Sequence, residues 1–336
     1  MKNAYKKIPV SDDSSVGHVR RTAVALGKSV GLTCDALGRL SIAVTEASTN
    51  ILQHAGVGEV LISAWEDSNN ACIAFFAIDK GLGMRNVAKC LQDGYSTGGS
   101  RGVGLGAIDR LSDFFDIYAM PDKGCIIYAT FSNQLSSSPE VSAVNGISVA
   151  KPGERSCGDA WDCIERKQNL ARLILVDGLG HGEQAARSAE QIICNLNSVS
   201  ASLKDSILHA HHSVNGLRGG VVAMAQIDVA AGSLTFCGVG NLSGTVWERD
   251  KKVTGLVSHD GTLGESVHTL REYMYPFSSQ SILILHTDGL KSDWDLSDYP
   301  GITMKSSSLI AAILYRDFAH GRDDAGVLVY KPLEDC

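Results

Sequence analysis

The segment Gly94–Gly106, GYSTGGSRGVGLG, runs directly into the helical pattern AIDRLSDFF. Glycines that lead into a helix start suit phosphate binding, because backbone N–H groups and the positive end of the helix dipole both face the anion. The segment lacks the GxxxxGK(S/T) pattern, so it is not a Walker A loop. A flexible surface loop would have the same composition, and the motifs before it decide between the two interpretations.

Two shorter motifs precede this segment. Glu46, Asn50 and His54 recur every four residues in a helix predicted over Asp35–His54, which places them on one helical face. A carboxylate and a carboxamide there suit Mg²⁺ binding and general base catalysis, although a solvated polar face has the same spacing. DKGLGM, Asp79–Met84, follows the apolar strand ACIAFFAI. Its glycines favour close approach of a ligand, and a tight turn is the alternative.

These three motifs, in this order within one predicted domain, resemble the GHKL ATPase superfamily. The resemblance is strongest to the small switch kinases and anti-sigma-factor serine kinases of bacterial partner switching, of the RsbT-like type. It covers about Tyr5 to Phe131, and the segment DGYSTGGSRGVGLGAIDRLSDFFDI carries most of it. The resemblance implies an ATP-dependent protein serine/threonine kinase. No helix with a phosphoacceptor histidine precedes this half, which argues against a sensor histidine kinase.

The resemblance implies a role for each motif residue. Asn50 would bind the Mg²⁺ that bridges the ATP phosphates, Glu46 would act as general base or orient the attacking hydroxyl, and Asp79 would accept a hydrogen bond from the adenine amino group. His54 is assigned a structural role. Residues Cys125–Ile127 depart from the family, whose members often place threonine after the glycine, and this leaves one wall of the adenine pocket undefined.

The glycines of the two loops complete the nucleotide site that the resemblance implies. Gly81 and Gly83 would let the backbone pass the nucleotide. Three further glycines would shape the lid and the start of the phosphate-binding helix: Gly102, Gly104 and Gly106. Arg101 has two equally supported interpretations, a contact to the ATP phosphates or a solvated lid residue.

The second half carries acidic residues in four motifs: CGDAW, LILVDGLGHGEQA, LILHTDGL and GRDDAGVLVY. The acids are Asp159, Asp177, Asp288 and the pair Asp323–Asp324. Carboxylates at strand ends can converge at one edge of a sheet pair, and Mg²⁺ or Mn²⁺ prefers such oxygen ligands. Two such ions can activate a water and neutralise a phosphoryl group. Asp–Gly is also a common turn signal, so each motif alone is weak evidence.

Together these motifs resemble the PPM metal-dependent phosphatases, in the SpoIIE-like branch and its short RsbX-like form, over about Gly146 to Tyr330. The resemblance implies that Asp177 bridges two metal ions and that the carbonyl of Gly178 ligates one of them. The remaining implied ligands, direct or through water, are Asp159, Asp288 and Asp323, the last preferred narrowly over Asp324.

Substrate binding is less defined by the sequence. His181 lies where some relatives place a candidate general acid, and it could instead cap or line the site. Gly219 and Gly220 are expected to bring the backbone close to the site. No arginine matches the one that binds phosphate in eukaryotic relatives.

The length of 336 residues predicts two domains. The expected fold class is α+β, with a GHKL (Bergerat) α/β sandwich in residues 1–133, a serine-rich linker in residues 134–145, and a PPM-type β-sandwich flanked by helices in residues 146–336. The first helix is predicted to begin near Ser14, with the serine hydroxyl as N-cap.

Composition narrows the cellular context. The net charge of −7 argues against a broad attraction to nucleic acid. The first residues lack the apolar stretch of a signal peptide and no apolar run is long enough to span a bilayer, so we expect a cytoplasmic protein without membrane association. The nine cysteines form no CxxC pair, which favours reduced thiols over a disulfide framework or a zinc site.

A kinase and a phosphatase on one chain suggest opposing actions on one signalling module. The resemblance implies STAS-domain antagonist or scaffold proteins as substrates, with a sigma-factor regulator as a further partner. One alternative is a nucleotide-gated module that binds an anti-sigma or other partner without kinase activity. Another is a phosphatase whose first half senses ATP. The sequence decides neither the oligomeric state nor the choice between Mg²⁺ and Mn²⁺.

Overall fold

The computed structural model describes residues 4–67, 70–91, 104–133, 142–167, 170–198, 202–214, 216–249 and 253–333. The chain divides into two compact units, Lys2–Val141 and Ser142–Cys336. Of the predicted linker, residues 134–141 lie outside the described residues, and Val144 and Asn145 belong to the first strand of the second unit. The linker bounds therefore stay a prediction, and the last two residues of the predicted linker overlap with this strand.

The first unit is an antiparallel sheet with helices packed on it. Its elements are β1 (Lys6–Val10), α1 (Asp13–Ser29), α2 (Cys34–Ala55), β2 (Gly58–Asp67), β3 (Asn70–Asp79), α3 (Val87–Cys90), α4 (Gly104–Leu111), β4 (Phe114–Met120) and β5 (Gly124–Ser132). The strand order is β1-β2-β3-β5-β4, and every pair is antiparallel. The predicted α/β sandwich is confirmed.

Small apolar residues let the helices of the first unit approach the sheet closely. The buried face of α2 carries Ala36, Leu40, Ala43 and Ala47, and it shares one core with Phe75 of β3 and other residues of the sheet. Close packing of this kind fixes the rotation of α2 about its axis. Two polar residues of α2, Glu46 and Asn50, are thereby directed toward the start of α4.

The predicted N-cap of α1 is wrong by two residues. Asp12 caps the helix: its Oδ1 accepts the backbone N–H of Ser15 at 2.8 Å, and the Ser15 hydroxyl oxygen accepts the backbone N–H of Asp12 at 3.3 Å. This reciprocal pair is a capping box, which satisfies two N–H groups that a Ser14 cap would leave open. The Ser14 hydroxyl instead donates to Asp12 Oδ1 at 2.7 Å.

The second unit is a β-sandwich with helices outside both sheets. Its elements are β6 (Val144–Val149), β7 (Asp159–Lys167), β8 (Leu170–Gly178), α5 (Glu183–Asn197), α6 (Leu203–Ser213), β9 (Gly220–Asp228), β10 (Ser233–Val239), β11 (Ser243–Trp247), β12 (Thr254–Gly255), β13 (Ser258–His259), β14 (Gly261–Thr262), β15 (Ser266–Val267), β16 (Tyr273–Pro276), β17 (Ile282–His286), α7 (Ser307–Phe318) and β18 (Ala325–Tyr330). Short 3-10 turns cover Leu296–Asp298 and Ile302–Met304.

One sheet has the order β13-β10-β9-β8-β7, with β16 beside β10, and the other has the order β12-β11-β17-β18-β6. Apolar residues of both sheets form a common core, which includes Trp161, Leu175, Phe236 and Leu285. Helices α5 and α6 pack on the outer face of the first sheet, and α7 packs on β6 and β18 of the second. The predicted sandwich flanked by helices is confirmed.

The sandwich brings the acidic motifs to its edges. Asp159 begins β7 and Asp177 lies at the end of β8, and the two residues are direct cross-strand partners. In the other sheet, Asp288 is the second residue after β17, separated from the strand by Thr287. Asp324 immediately precedes β18. Among the described residues, no helix is long and apolar enough to cross a membrane.

Candidate active sites

In the first unit, Glu46 and Asn50 of α2 face the first residue of α4. A Cβ placed on Gly104 would lie 3.0 Å from Glu46 Oε2 and 3.5 Å from Asn50 Oδ1. His54, the third residue of the predicted face, is exposed to solvent. The structure therefore places Glu46 and Asn50, the two residues expected to act on the nucleotide, together at a helix N-terminus suited to phosphate. His54, which is expected to be structural, is not part of this group.

Asp79 ends β3 and is held by the backbone on both sides. Its Oδ1 accepts the N–H of Gly81 at 2.8 Å and the N–H of Cys125 at 3.2 Å. These bonds fix the carboxylate at the end of the sheet, where the adenine contact is predicted. They also explain why cysteine is accepted at position 125, because the contact to Asp79 uses a backbone group that any residue other than proline supplies.

The glycines of DKGLGM are required by the protein's own packing. Gly83 has φ +63°, and a Cβ there would lie 1.8 Å from the carbonyl oxygen of Met120. A Cβ on Gly81 would lie 2.6 Å from the Cβ of Ala55. Their predicted role beside the nucleotide stays a prediction, and the structure adds a reason for them that the sequence did not show.

The lid is largely outside the described residues, which include neither Arg101 nor Gly102. Gly104 and Gly106 lie in the first turn of α4, and Gly106 is buried. The part of the predicted phosphate-binding segment that the structure describes is thus the start of the helix, beside Glu46.

In the second unit, Asp159 and Asp177 stand opposite each other in a largely buried position. Asp159 is 2% exposed. Burial, followed by the charges of Asp288, Asp323 and Asp324, raises the pKa of Asp177 to about 7. Burial, followed by the charge of Asp177, raises the pKa of Asp159 well above its ordinary value. Crowded carboxylates of this kind favour protonation unless a cation offsets their charge.

A hydroxyl group orients Asp159. Thr287 donates its O–H to Asp159 Oδ2 at 2.7 Å, and its oxygen accepts the N–H of Gly326 at 2.9 Å. Because Gly326 supplies a proton to the Thr287 oxygen, the hydroxyl hydrogen is directed to Asp159, which is the arrangement that a carboxylate needs. Thr287 lies within the motif LILHTDGL but was not predicted as a site residue.

The two adjacent acids Asp323 and Asp324 differ in what they bind. Asp324 is 3% exposed, and its two oxygens accept the N–H groups of Lys151 at 2.7 Å and Gly158 at 2.9 Å. Asp323 is partly exposed, and its Oδ1 accepts the N–H of Asp324 at 2.9 Å. A carboxylate whose oxygens already hold the backbone is a poor metal ligand, so the geometry supports the preference for Asp323.

The donor chemistry of this cluster fits hard divalent cations. The acids offer only oxygen, which Mg²⁺ and Mn²⁺ prefer. Within the ranges that the structure describes, no three side chains of the acidic, histidine or cysteine type close into a direct ligand set. Mg²⁺ usually retains several waters and is bound through few carboxylates, so an open ring of acids around Asp177 is compatible with cations held partly through water.

Two further residues beside the acids were not predicted. Asn241 donates its amide N–H to Asp288 Oδ2 at 2.8 Å, which orients that carboxylate. Arg218 is exposed, and its Nη1 would lie 2.9 Å from a Cβ on Gly180, so the guanidinium lies against the DGLGHG loop. The signal for Arg218 was its place immediately before the predicted close-approach glycines.

The backbone around Arg218 is fixed by its neighbours. The N–H of Arg218 donates to the hydroxyl of Ser188 at 3.2 Å, and the carbonyl of Gly219 accepts the N–H of Leu179 at 3.1 Å. Gly219 has φ +82°, and a Cβ there would lie 2.1 Å from the carbonyl of Leu263. The predicted close approach at Gly219 and Gly220 is therefore an approach to protein backbone next to the acidic cluster.

Known proteins resemble the two units separately. Residues 10–131 match the histidine kinase-like ATPase domain family, and residues 167–298 match the Stage II sporulation protein E (SpoIIE) family. The serine/threonine-protein kinase RsbT of Bacillus subtilis (strain 168) is 31% identical over 104 residues, which cover 31% of this chain and 78% of that protein.

Solved structures also match just over half of the chain. A chain from the bacterial stressosome, described as a modular system adapted to control secondary messenger signalling, is 24% identical with a TM-score of 0.51, covering 56% of this chain and 98% of that one. RsbX in complex with magnesium is 21% identical with a TM-score of 0.49, and the match covers 55% of this chain and 92% of the RsbX chain. The first of these shows a shared fold.

These matches confirm the predicted organisation. An RsbT-like kinase domain is followed by a domain of the SpoIIE type, in the order that the motifs predicted. An ATP-binding domain and a divalent-cation-dependent domain agree with the nucleotide-facing residues of α2 and with the oxygen donors around Asp177.

Proposed function

The chain belongs to the family of the serine/threonine kinase RsbT through its first domain and carries a SpoIIE-type phosphatase domain behind it, and from this premise we propose that it both phosphorylates and dephosphorylates a protein. The two reactions are opposed. One transfers the γ-phosphoryl group of ATP to a serine or threonine, and the other removes that group by hydrolysis.

The kinase proposal depends on the position of Glu46 and Asn50 at the start of α4. Asn50 would hold the Mg²⁺ of ATP, and the N-terminus of α4 would face the phosphates. Glu46 would accept the proton of the attacking hydroxyl or orient that hydroxyl. Asp79, fixed by two backbone N–H groups, would accept the adenine amino hydrogen, as its position at the end of β3 supports.

The phosphatase proposal depends on the pair Asp159–Asp177 and the acids around it. Asp177 and the carbonyl of Gly178 would hold the cations directly, and Asp159, Asp288 and Asp323 would complete the site directly or through water. When bound, the cations would lower the pKa of a water and offset phosphoryl charge. Mg²⁺ and Mn²⁺ both suit these donors.

Two residues of the DGLGHG surroundings would act on the substrate. The guanidinium of Arg218, exposed beside Gly180, would bind the phosphoryl oxygens, a geometry in which arginine forms paired hydrogen bonds. His181 would give a proton to the departing serine or threonine oxygen. The guanidinium would add positive charge at the margin of the acidic cluster, beyond the charge of the bound cations.

The proposed substrate is a STAS-domain protein of a bacterial partner-switching system, as antagonist or scaffold. Support comes from the relatedness of the first domain to RsbT and from the shared fold with a chain of the bacterial stressosome. A kinase and a phosphatase on one chain are most useful when they set the phosphorylation level of one protein.

A paired assay on Glu46→Ala and Asp177→Asn tests the function. In the first assay, each variant is incubated with a candidate STAS protein and ATP–Mg²⁺. In the second assay, each variant is incubated with the phosphorylated form of that STAS protein and Mn²⁺. We expect Glu46→Ala to abolish phosphorylation only, and Asp177→Asn to abolish dephosphorylation only. Gln53→Ala and Glu190→Gln are control variants. Gln53 is exposed on α2, the helix that carries Glu46, and Glu190 is exposed on α5, the helix that follows β8.

The outcomes separate the alternatives. If the intact protein transfers no phosphoryl group to any candidate yet binds a partner in an ATP-dependent manner, the first domain is a nucleotide-gated binding module. If nucleotide instead changes only the rate of dephosphorylation, the first domain is a sensor of ATP.

A further inference from the structure

Glu154 contacts the side chain of His181, the candidate acid of the phosphatase. His181 Nδ1 lies 2.7 Å from Glu154 Oε1. An ionised carboxylate only accepts hydrogen bonds, so the shared proton belongs to Nδ1 of the imidazole. The ring's other nitrogen, Nε2, is left for a second partner. Glu154 was not predicted as a site residue.

The loop around His181 is shaped to admit this carboxylate. Gly182 has φ +76°, and a Cβ there would lie 2.8 Å from Glu154 Oε2. Any larger residue at position 182 would be strained and would also displace Glu154. The glycine that ends the DGLGHG motif therefore serves the contact between Glu154 and His181.

The turn that carries Glu154 is fixed at both ends by one buried carboxylate. Asp324 accepts the N–H of Lys151 on Oδ1 and the N–H of Gly158 on Oδ2. Within the turn, the N–H of Glu154 donates to the carbonyl of Lys151 at 2.9 Å. These bonds hold the turn that carries Glu154 in place before a substrate binds. They also give Asp324 a role that does not involve metal binding.

We propose that Glu154 is a positioning residue for His181 in the phosphatase reaction, an inference that rests on the proposed function. By accepting the Nδ1 proton, Glu154 fixes the ring orientation and stabilises the imidazolium, so that Nε2–H serves as the acid. Asp324 supports this pair by holding the turn.

The proton balance of the step is simple. A water oxygen forms a bond to phosphorus, and the bond from phosphorus to the serine or threonine oxygen breaks with its electron pair on that oxygen. The Nε2 proton of His181 moves to this oxygen and yields the alcohol. The attacking water releases its proton to solvent, and the neutral imidazole regains one from solvent.

The leaving group distinguishes this role from a structural one. A serine alkoxide is a poor leaving group and needs the proton, whereas p-nitrophenolate leaves without one. We expect Glu154→Gln and His181→Gln to lower kcat for a phosphoserine peptide about 10- to 100-fold. With p-nitrophenyl phosphate, both variants should stay within about twofold of the wild-type kcat, and the double variant should match His181→Gln alone on the peptide.

The matched control is Glu183→Gln, which removes the same charge. Glu183 begins α5, next to the same loop, and pairs with Arg187 at 2.5 Å on the exposed side of the helix. Exposed pairs of this type contribute little to stability, so the control should behave as wild type on both substrates.

Several results would overturn the inference. Equal losses on the two substrates, an effect on KM alone, or additive losses in the double variant would each show that Glu154 does not act through the acid. A second measurement is independent of activity. NMR of the full chain labelled with nitrogen-15 histidine reports which ring nitrogen of His181 carries the proton, and the His181→Gln variant identifies the His181 signals.

The NMR measurement also separates this inference from the proposed function. If the chain lacks phosphatase activity, the proposed function fails, and a ring that carries its proton at Nδ1 in the wild type but not in Glu154→Ala still supports the positioning contact. An identical ring spectrum in wild type and Glu154→Ala, which removes the acceptor, would overturn it.

Discussion

Two acids that the sequence treats alike have different roles at the residue scale. Asp323 and Asp324 are neighbours in GRDDAGVLVY, yet Asp324 holds two backbone N–H groups while Asp323 keeps an oxygen for the cluster. The sequence indicated a group of acids because carboxylates at strand ends can converge, and their role as metal ligands stays a prediction. It could not show which acid is turned inward, because that depends on the path of the turn from Lys151 to Gly158.

Asp177 gives the second domain a pH-dependent stability in the absence of metal. Its pKa is raised to about 7 from an ordinary value of 3.8, first by burial and then by neighbouring acids. The protonated form is therefore favoured by folding, so this stabilisation is present below about pH 4 and is lost as the pH rises through about 7. In EDTA, we expect the Tm of this domain to decrease as the pH is raised from mildly acidic to mildly basic. Calorimetry measures this change.

The same argument predicts a larger effect of metal at high pH. Mg²⁺ or Mn²⁺ should raise the Tm more above neutral pH than below it, because the cation binds the deprotonated carboxylates. Asp177→Asn removes the titrating group and should flatten the pH dependence in EDTA. An equally steep dependence in that variant would assign the effect to other groups.

Arg218 is expected to govern substrate binding in the phosphatase. Replacing it by alanine should raise KM for the phosphoprotein about 10- to 100-fold and leave kcat nearly unchanged, since a hydrogen bond to a charged group contributes about 1.5–3 kcal/mol. Arg218→Lys should recover part of the loss, as lysine keeps the charge without the paired geometry. Steady-state kinetics with Arg187→Ala as control measures this, and a loss confined to kcat would contradict it.

At the element scale, periodicity predicted the strongly apolar elements and missed those with mixed surfaces. The helix over Asp35–His54 and strands such as Ala71–Ile78 agree with α2 and β3, because continuous apolar runs have few alternatives in a core. β7, DAWDCIERK, was missed because five of its nine residues are charged. Yet β7 begins with Asp159, so a strand of the site was identified only through its acid.

The turn at Gly83 is expected to be highly sensitive to substitution. A Cβ at Gly83 would lie 1.8 Å from a backbone carbonyl, whereas one at Gly31 meets nothing within 4 Å, although both residues have positive φ. Gly83→Ala combines a clash with backbone strain and should destabilise the first domain by about 3 kcal/mol. Gly31→Ala should cost about 1 kcal/mol. Urea unfolding compares the two, and equal losses would contradict the packing argument.

Two enzymes with opposite reactions are joined at the scale of the whole molecule. Each domain has its own core and its own acidic residues, Glu46 in one and Asp177 in the other. Motif order in the sequence sufficed to predict this arrangement, because each motif belongs to one domain. The identity of the shared substrate depends on surfaces that no motif encodes, so it had to be proposed rather than read from the residues.

Opposed activities on one chain predict a cycle that consumes ATP. With a substrate that both domains accept, the wild-type protein should hydrolyse ATP continuously while the level of phosphoprotein stays constant. Asp177→Asn should stop after one ATP per substrate site and leave the substrate fully phosphorylated, and Glu46→Ala should consume none. Phosphate release and phosphoprotein, measured together over time, test this. Continuous ATP hydrolysis by Asp177→Asn without phosphoprotein turnover would show that the first domain is an ATPase that does not require the second.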